Sequence, residues 1–335
     1  MKYREDKLFS KSYKEEYKEG IERLIENREK AAALIRENSC KDIFENREYH
    51  LKRFKDMLGW PLNDEGFDYN VTASQEKLSD EGEYSIFRIS FKIMDEITMT
   101  GLLLKYNDDE KRPFVISQHG GFGTPELTAG VYDDTSNYND MTQRILSLGA
   151  NVFAPQLLLW RQENYGVDYD RNGIDGRLKR VGSSITAIEI FGITKIIDYF
   201  EKQDYVTNIG MIGLSYGGFY TLFTTAIDTR IKSAISCSFF NSREKYAWPD
   251  WTWNNSAEKF GDAEVACLVY PRTLCIELGK RDELFGYQYG VEEFERLQKL
   301  CKETDEKWLS FIGFEGVHEF CKSDEPIKKL IEQLK

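Results

Sequence analysis

At 335 residues, 41% of them hydrophobic and 30% charged, the chain is long enough for one large α/β domain whose core needs no disulfide or metal staple. A net charge of −12 repels phosphate backbones, and neither a P-loop nor RNP-like aromatics occur, so nucleic acid is excluded as the expected partner. No apolar run reaches the about 18 residues of a membrane span, the six cysteines lack metal-ligand spacing, and the opening MKYREDKLFS has no apolar signal region. The expectation is a cytoplasmic protein with reduced thiols, no membrane contact, no metal and no cofactor.

In chain order, residues 10–58 carry helical periodicity. Tyr17, Ile21, Leu24, Ile25, Arg28 and Ala32 share one stripe, and Leu51, Phe54 and Leu58 repeat the pattern until Gly59 and Pro61 break it. The stripes predict helices packed on the body or on a second copy of the chain, so a homo-oligomer is the corresponding expectation. The surrounding charges are balanced in sign, unlike those of a membrane-surface helix. A helical extension is assigned to residues 1–82.

From residue 83 the period changes. YSIFRISFKIM and TMTGLLLKY alternate like paired antiparallel strands, and RPFVISQHGG reads as a buried strand running into glycines. A helix over 138–148 leads to the strand NVFAP; a long helix over 182–203 leads to the strand NIGMIGL. Then come the helix YGGFYTLFTTAI, strands at IKSAISCSF and RTLCIELGK, the helix GVEEFERLQKLCKE, the strand KWLSFIGF and a final helix EPIKKLIEQL. Alternating strands and helices predict the α/β class over residues 83–335, a mostly parallel sheet with helices on both faces. Two long segments, 156–182 and 241–265, lack periodicity and are expected to line or cover a site, the second as a cap.

The stretch GLSYGG, residues 213–218, fits G-x-S-x-G between a strand and a helix. A serine at the tip of such a turn is exposed on strained backbone, Gly213 and Gly217 let strand and helix approach, and the helix N-terminus favours a developing oxyanion. Ser215 needs a base to become a nucleophile. Of three histidines, His50 lies on the N-terminal helical stripe and His119 ends a strand before two glycines. His318 follows the strand KWLSFIGF, where a Ser–acid–His order puts the base. Asp282, just beyond the strand TLCIELG, is the candidate acid, ahead of Glu277 inside the strand and the adjoining Glu283. The oxyanion donors expected are the backbone N–H of Tyr216 and one from SQHGGFG, at Gly121 or Phe122. In AWPDWTW, Trp248, Trp251 and Trp253 offer planar apolar faces, while Trp160 and Arg161 in the earlier segment are candidates to bind substrate, with a solvated loop as the alternative. Phe122, Trp160 and Trp251 are the candidate substrate contacts, with packing of the segment on the body as the competing role for the tryptophans.

With HGG at 119–121, GLSYGG at 213–218, GKRDELF at 279–285 and VHEF at 317–320, the chain from about residue 85 resembles the α/β-hydrolases, and within them the dienelactone-hydrolase and acetyl-xylan-esterase-like group. The resemblance implies an α/β-hydrolase fold, a Ser215–Asp282–His318 triad, and Gly121 and Tyr216 as oxyanion donors. Dienelactone hydrolases proper use a cysteine where this chain has Ser215, which points to ordinary ester hydrolysis. The RGQ-type arginine turn of the acetyl xylan esterases is not evident, so xylan is not implied. GLSYGGF also resembles the prolyl-oligopeptidase elbow, but the N-terminal segment is too short and too helical for that family's propeller. The function expected is a serine carboxylic-ester hydrolase acting on small-molecule, short-acyl esters. The alternatives are a peptidase or amidase with the same machinery and, from another class, a non-catalytic hydrolase fold used for binding.

Overall fold

The structure is a computed structural model and describes residues 1–63, 71–94, 97–160 and 167–335. Its frame is a nine-stranded sheet: β1 (Thr72–Asp80), β2 (Tyr84–Met94), β3 (Ile97–Tyr106), β4 (Arg112–Gln118), β5 (Asn151–Pro155), β6 (Val206–Leu214), β7 (Ile231–Cys237), β8 (Thr273–Gly279) and β9 (Leu309–Phe314), in spatial order β1-β2-β3-β5-β4-β6-β7-β8-β9. The first three strands and the β3–β5 pair are antiparallel; every later pair is parallel. The helices are α1 (Lys7–Ser39), α2 (Arg47–Leu58), α3 (Pro125–Thr128), α4 (Met141–Ser147), α5 (Arg171–Arg180), α6 (Ile185–Phe200), α7 (Tyr216–Ile227), α8 (Asp262–Cys267), α9 (Tyr287–Leu300) and α10 (Glu325–Leu334).

Strand alternation explains how the sheet is covered. Ile116, Met211 and Ala234 join one apolar cluster with α6 and α7, while their chain neighbours Val115, Ile212 and Ile235 join a second with α4 and α10. A central parallel strand buried on both faces must be apolar at consecutive positions, and GMIGL is. All twelve residues of α7 are buried, so this helix runs through the middle of the molecule behind the sheet.

Two boundaries differ from the sequence reading. The helical extension does not run to residue 82: Thr72–Asp80 is a strand of the main sheet, paired antiparallel with β2. Its sequence TASQEKLSD is polar because it is an edge strand with eight of nine residues exposed, so it carries no apolar alternation to detect. Helix α2 also belongs to the body, with Phe54 and Leu58 inside the larger core cluster. Only α1 stands out, contributing Ala32 and Arg36 as its buried residues.

The 241–265 segment is packed down on the α6–α7 face, with Trp251 and Trp253 buried. Arg243 holds it there: its Nε donates to Asp262 at 2.6 Å, and its guanidinium sits 4.7 Å from the Phe239 ring and 5.1 Å from that of Trp251. The 156–182 segment, read as irregular, contains α5; Arg161 falls outside the described residues.

Candidate active site

The C-terminal ends of β4, β6 and β8 bring the sequence-selected residues to one edge of the sheet. Ser215 follows β6 directly and has φ 60° and ψ −122°, a conformation that side chains seldom adopt. What holds it is the closeness of backbone on either side. A Cβ on Gly213 would lie 2.2 Å from the Gly217 carbonyl oxygen, and one on Gly217 would lie 2.1 Å from that of Gln118. The Ser215 N–H donates to the Cys237 carbonyl at 2.9 Å, tying the turn to β7. Tyr216 opens α7, whose first N–H groups have no partner within the helix.

The loop after β4 lies against this turn: a Cβ on Gly120 would stand 3.1 Å from the Ser215 Cβ. The loop is shaped by His119, which is buried. Its Nε2 accepts from the Leu157 N–H at 3.0 Å, so Nδ1 carries the proton toward the Gly120 carbonyl at 2.9 Å. Burial pulls this imidazole down to about 4, which keeps it neutral. His119 is therefore a brace for the loop. The Gly123 N–H closes a turn on the Gly120 carbonyl at 3.0 Å, and Gly121 receives the Trp160 N–H on its carbonyl at 2.7 Å. Gly121 has no room for a side chain, because its Cβ would meet the Trp160 ring at 2.8 Å.

Asp282 and His318 come together from the loops after β8 and β9: the His318 Nδ1 to Asp282 Oδ2 distance is 2.8 Å. Asp282 is fixed in turn by the backbone N–H groups of Leu284 and Phe285, both 2.8 Å from Oδ1. With its Nδ1 proton on a carboxylate, the imidazole presents Nε2 as an acceptor. The His318 loop is stapled to the 137–139 segment through Asn137 Nδ2 on the His318 carbonyl (2.9 Å) and Asn139 Nδ2 on that of Phe320 (2.7 Å). His50, far from this edge, is buried between Asp42 and Arg53.

The aromatic residues divide. Trp160 and Phe122 form an edge-to-face pair with centroids 4.9 Å apart, and Trp160 Nε1 donates to the Tyr216 hydroxyl at 3.2 Å. Trp251 stacks on Trp248 at 4.6 Å and also touches Tyr216, Phe219, Phe239 and Phe285. At 3% exposed, it supports the wall without facing solvent, and the half-buried Trp248 is the ring in front of it. Packing accounts for Trp251, since five aromatic rings lie 4.6–5.9 Å from it, centroid to centroid. A cavity of about 730 Å³ is lined by Trp160, Phe122, Met99, Leu157, Leu178 and Ile188.

Beneath Tyr216 lies an ionic group that no sequence motif announces. Arg171 from α5 donates to Asp250 at 2.8 Å and to Glu189 at 3.1 Å, Tyr216 donates to Asp250 at 2.8 Å, and Tyr220 pairs with both Arg171 and Glu189. All five side chains are buried. Glu277 in β8 is also buried. Its Oε2 has no hydrogen-bond partner among the described residues, and burial pushes its carboxyl up to about 7. Among the described residues no cluster of three or more His, Cys, Asp or Glu could hold a metal ion, and no helix is long and apolar enough to cross a membrane.

These features define the α/β-hydrolase fold, and comparison with solved structures agrees. A glucuronoyl esterase from Solibacter usitatus superposes with a TM-score of 0.62 at 14% identity, over 86% of this chain and 91% of that one. A methylesterase gives 0.60 at 18% identity, over 91% and 66%. An acetyl xylan esterase from a Thermoanaerobacterium species gives 0.57 at 13% identity, over 88% and 94%. No family model matches the sequence, and no curated relative matches it. At these identities the likeness is one of fold.

Proposed function

We propose that the chain is a serine hydrolase of carboxylic esters, with Ser215, His318 and Asp282 as its triad. The observation that carries this reading is the conjunction of a strained serine at the head of α7 with a hydrogen-bonded Asp282–His318 pair on the loops two and three strands away. The names of the fold neighbours, which are esterases, support the same chemistry.

In this mechanism His318 Nε2 takes the Ser215 proton as Oγ attacks the ester carbonyl, and Asp282 stabilises the imidazolium. The backbone N–H groups of Tyr216 and Gly121 receive the oxyanion; loss of one such donor costs about 2.7–4 kcal/mol. Collapse of the tetrahedral intermediate breaks the ester C–O bond, His318 returns the proton to the leaving alcohol, and water repeats the sequence on the acyl-enzyme. The tightly packed rings of Trp248, Trp251, Phe239 and Phe285 favour a short acyl group on their side, and Phe122 and Trp160 line the substrate's other arm.

A p-nitrophenyl ester series from C2 to C12 tests this, with Ser215→Ala alongside the wild type. The expected result is turnover of the shortest esters and a loss of roughly 10⁴–10⁶-fold in kcat for the variant. Equal activity of the two proteins overturns the assignment of Ser215. Turnover of p-nitroanilides in place of esters moves the reading to an amidase.

A further inference from the structure

The two N–H groups assigned above to the oxyanion come from separate parts of the chain: Gly121 lies in the loop after β4, and Tyr216 opens α7 after β6. Both must aim at one oxygen, each about 2.7–3.1 Å from it. Sheet hydrogen bonds hold the strands, but Gly121 lies three residues beyond Gln118, the end of β4. Its distance from Tyr216 therefore needs a tie of its own.

Residues 157–160, which follow β5, are hydrogen-bonded at every position. The Leu157 N–H donates to His119 Nε2 at 3.0 Å and the Leu158 N–H to Glu189 Oε1 at 2.8 Å. The Leu158 carbonyl accepts from Arg171, and the Leu159 carbonyl from the Tyr169 hydroxyl. Trp160 ends the segment and bonds to both residues of the oxyanion pair. Its backbone N–H donates to the Gly121 carbonyl at 2.7 Å, and its indole N–H donates to the Tyr216 hydroxyl at 3.2 Å. Its ring also covers Gly121, where a Cβ would stand 2.8 Å from it. The Tyr216 hydroxyl donates in turn to Asp250 at 2.8 Å, and Asp250 accepts from Arg171 Nε at 2.8 Å. Because Arg171 also bonds to Leu158, the contacts close a ring through Trp160, Tyr216, Asp250, Arg171 and back along the chain from Leu158 to Trp160. Burial, and after it the Asp250 carboxylate, push the Tyr216 pKa up, so the hydroxyl keeps its proton and its orientation in that ring.

We infer that Trp160 is a positioning residue that sets the spacing of the two oxyanion donors, by bonding to the carbonyl of Gly121 and to the side chain of Tyr216. This rests on the hydrolase reading above and adds to it a role for Trp160 that needs no contact with substrate. The residue type suits the task. An indole N–H only donates, so it fixes the Tyr216 hydroxyl as the acceptor here and as the donor toward Asp250. Phenylalanine would cover Gly121 but leave that hydroxyl without its donor. A misplacement of about 1 Å in a reacting geometry costs on the order of 10²-fold in rate, which makes a fixed spacing worth a dedicated contact.

Trp160→Phe, Tyr216→Phe and the double variant test this, each checked for folding by circular dichroism. Either single change breaks the Trp160–Tyr216 bond and leaves both backbone N–H groups in the chain. Each is expected to lower kcat on p-nitrophenyl acetate by about 10–100-fold. KM should stay unchanged in Tyr216→Phe, whose hydroxyl is buried beneath the site. The double variant should lose no more than the worse single one, because the same bond is removed only once. Labelling of Ser215 by a fluorophosphonate gives a readout that needs no cognate substrate. As Oγ displaces fluoride and His318 takes the proton, the phosphoryl oxygen occupies the oxyanion's place, so the labelling rate should fall in step with kcat. A Trp160→Phe variant altered only in KM makes Trp160 a substrate contact alone and overturns the inference. So does a Tyr216→Phe variant with wild-type kcat and labelling rate, or losses that multiply in the double variant. A wild type that neither turns over esters nor takes the label at Ser215 removes the hydrolase reading itself, and the inference falls with it.

Discussion

The elbow at Ser215 and the ionic group beneath Tyr216 lie next to each other but are built on opposite principles. The elbow is a backbone construction: its closest approaches are between main-chain atoms of residues 118–120 and 213–217, and glycine is the residue that permits them. The ionic group is a side-chain construction: Arg171, Glu189, Tyr220 and Asp250 come from four separate segments, and the Arg171–Asp250 contact joins positions 79 apart. A backbone device must be written in adjacent letters. A side-chain device is written in letters that mean nothing until the chain has folded.

The two constructions should fail differently, and the largest effect is expected on the ionic side. Arg171→Met leaves Glu189 and Asp250 buried without their cation, which should cost about 3–5 kcal/mol in urea unfolding. It should also reduce turnover, because Asp250 no longer has its partner while holding the Tyr216 hydroxyl. Adding Glu189→Gln and Asp250→Asn to the same chain neutralises the group, and at least half of the lost stability should return. If the triple variant is no more stable than Arg171→Met, the cost lies in packing and the charge reading is wrong.

On the elbow side, no compensating partner can be designed, because the obstacle is main chain. Gly217→Ala should lose about 3 kcal/mol, at the upper end of overpacking. Gly176→Ala in α5, where a Cβ meets nothing within 4 Å, should gain about 0.5–1 kcal/mol as a helix-interior replacement. Similar values at both positions would mean that the turn relaxes.

A pH-dependent effect sharpens the comparison from a third position, Glu277, a buried carboxyl with one oxygen unpaired among the described residues. Its folded pKa of about 7 lies above the ordinary glutamate value of 4.5, so between those values the folded chain binds more protons than the unfolded one. Its contribution to stability therefore falls as pH rises through that window, by about 3 kcal/mol in full. Glu277→Gln removes this dependence. The variant should match the wild type near pH 5 and exceed it at pH 8, measured by urea midpoints at both values. A constant difference at both pH values would assign the effect to shape.

The same contrast explains what could be read in advance. The α/β order, the strand–serine–helix junction and the HGG loop were legible because period and glycine placement are local properties. Asp282 and His318 could be singled out because a Ser–acid–His chain order restricts which positions are candidates, and the structure puts their side chains 2.8 Å apart. Trp251 looked like a substrate contact because a tryptophan in a long loop carries no mark of which face is covered; five aromatic partners from α7 and the loops beyond settle that. The brace at His119 was visible as a residue but not as a role, since its acceptor state depends on the Leu157 N–H 38 positions away. Strand β1 was missed because residues that face water on both sides of an edge give no pattern to detect.

That edge has a consequence for how the protein behaves in concentrated solution. A nine-stranded sheet ends in a row of unpaired peptide groups that can recruit any extended chain nearby, and the outermost strand decides whether it does. Here that strand is TASQEKLSD, with Lys77 and Asp80 paired at 2.6 Å along its length and a register irregularity between Lys77 and Ser79. Fixed charges and a local twist are poor templates for a further strand. The least ordered-looking letters in the sequence thus act as a guard against fibrillar growth, shielding the buried strands behind them.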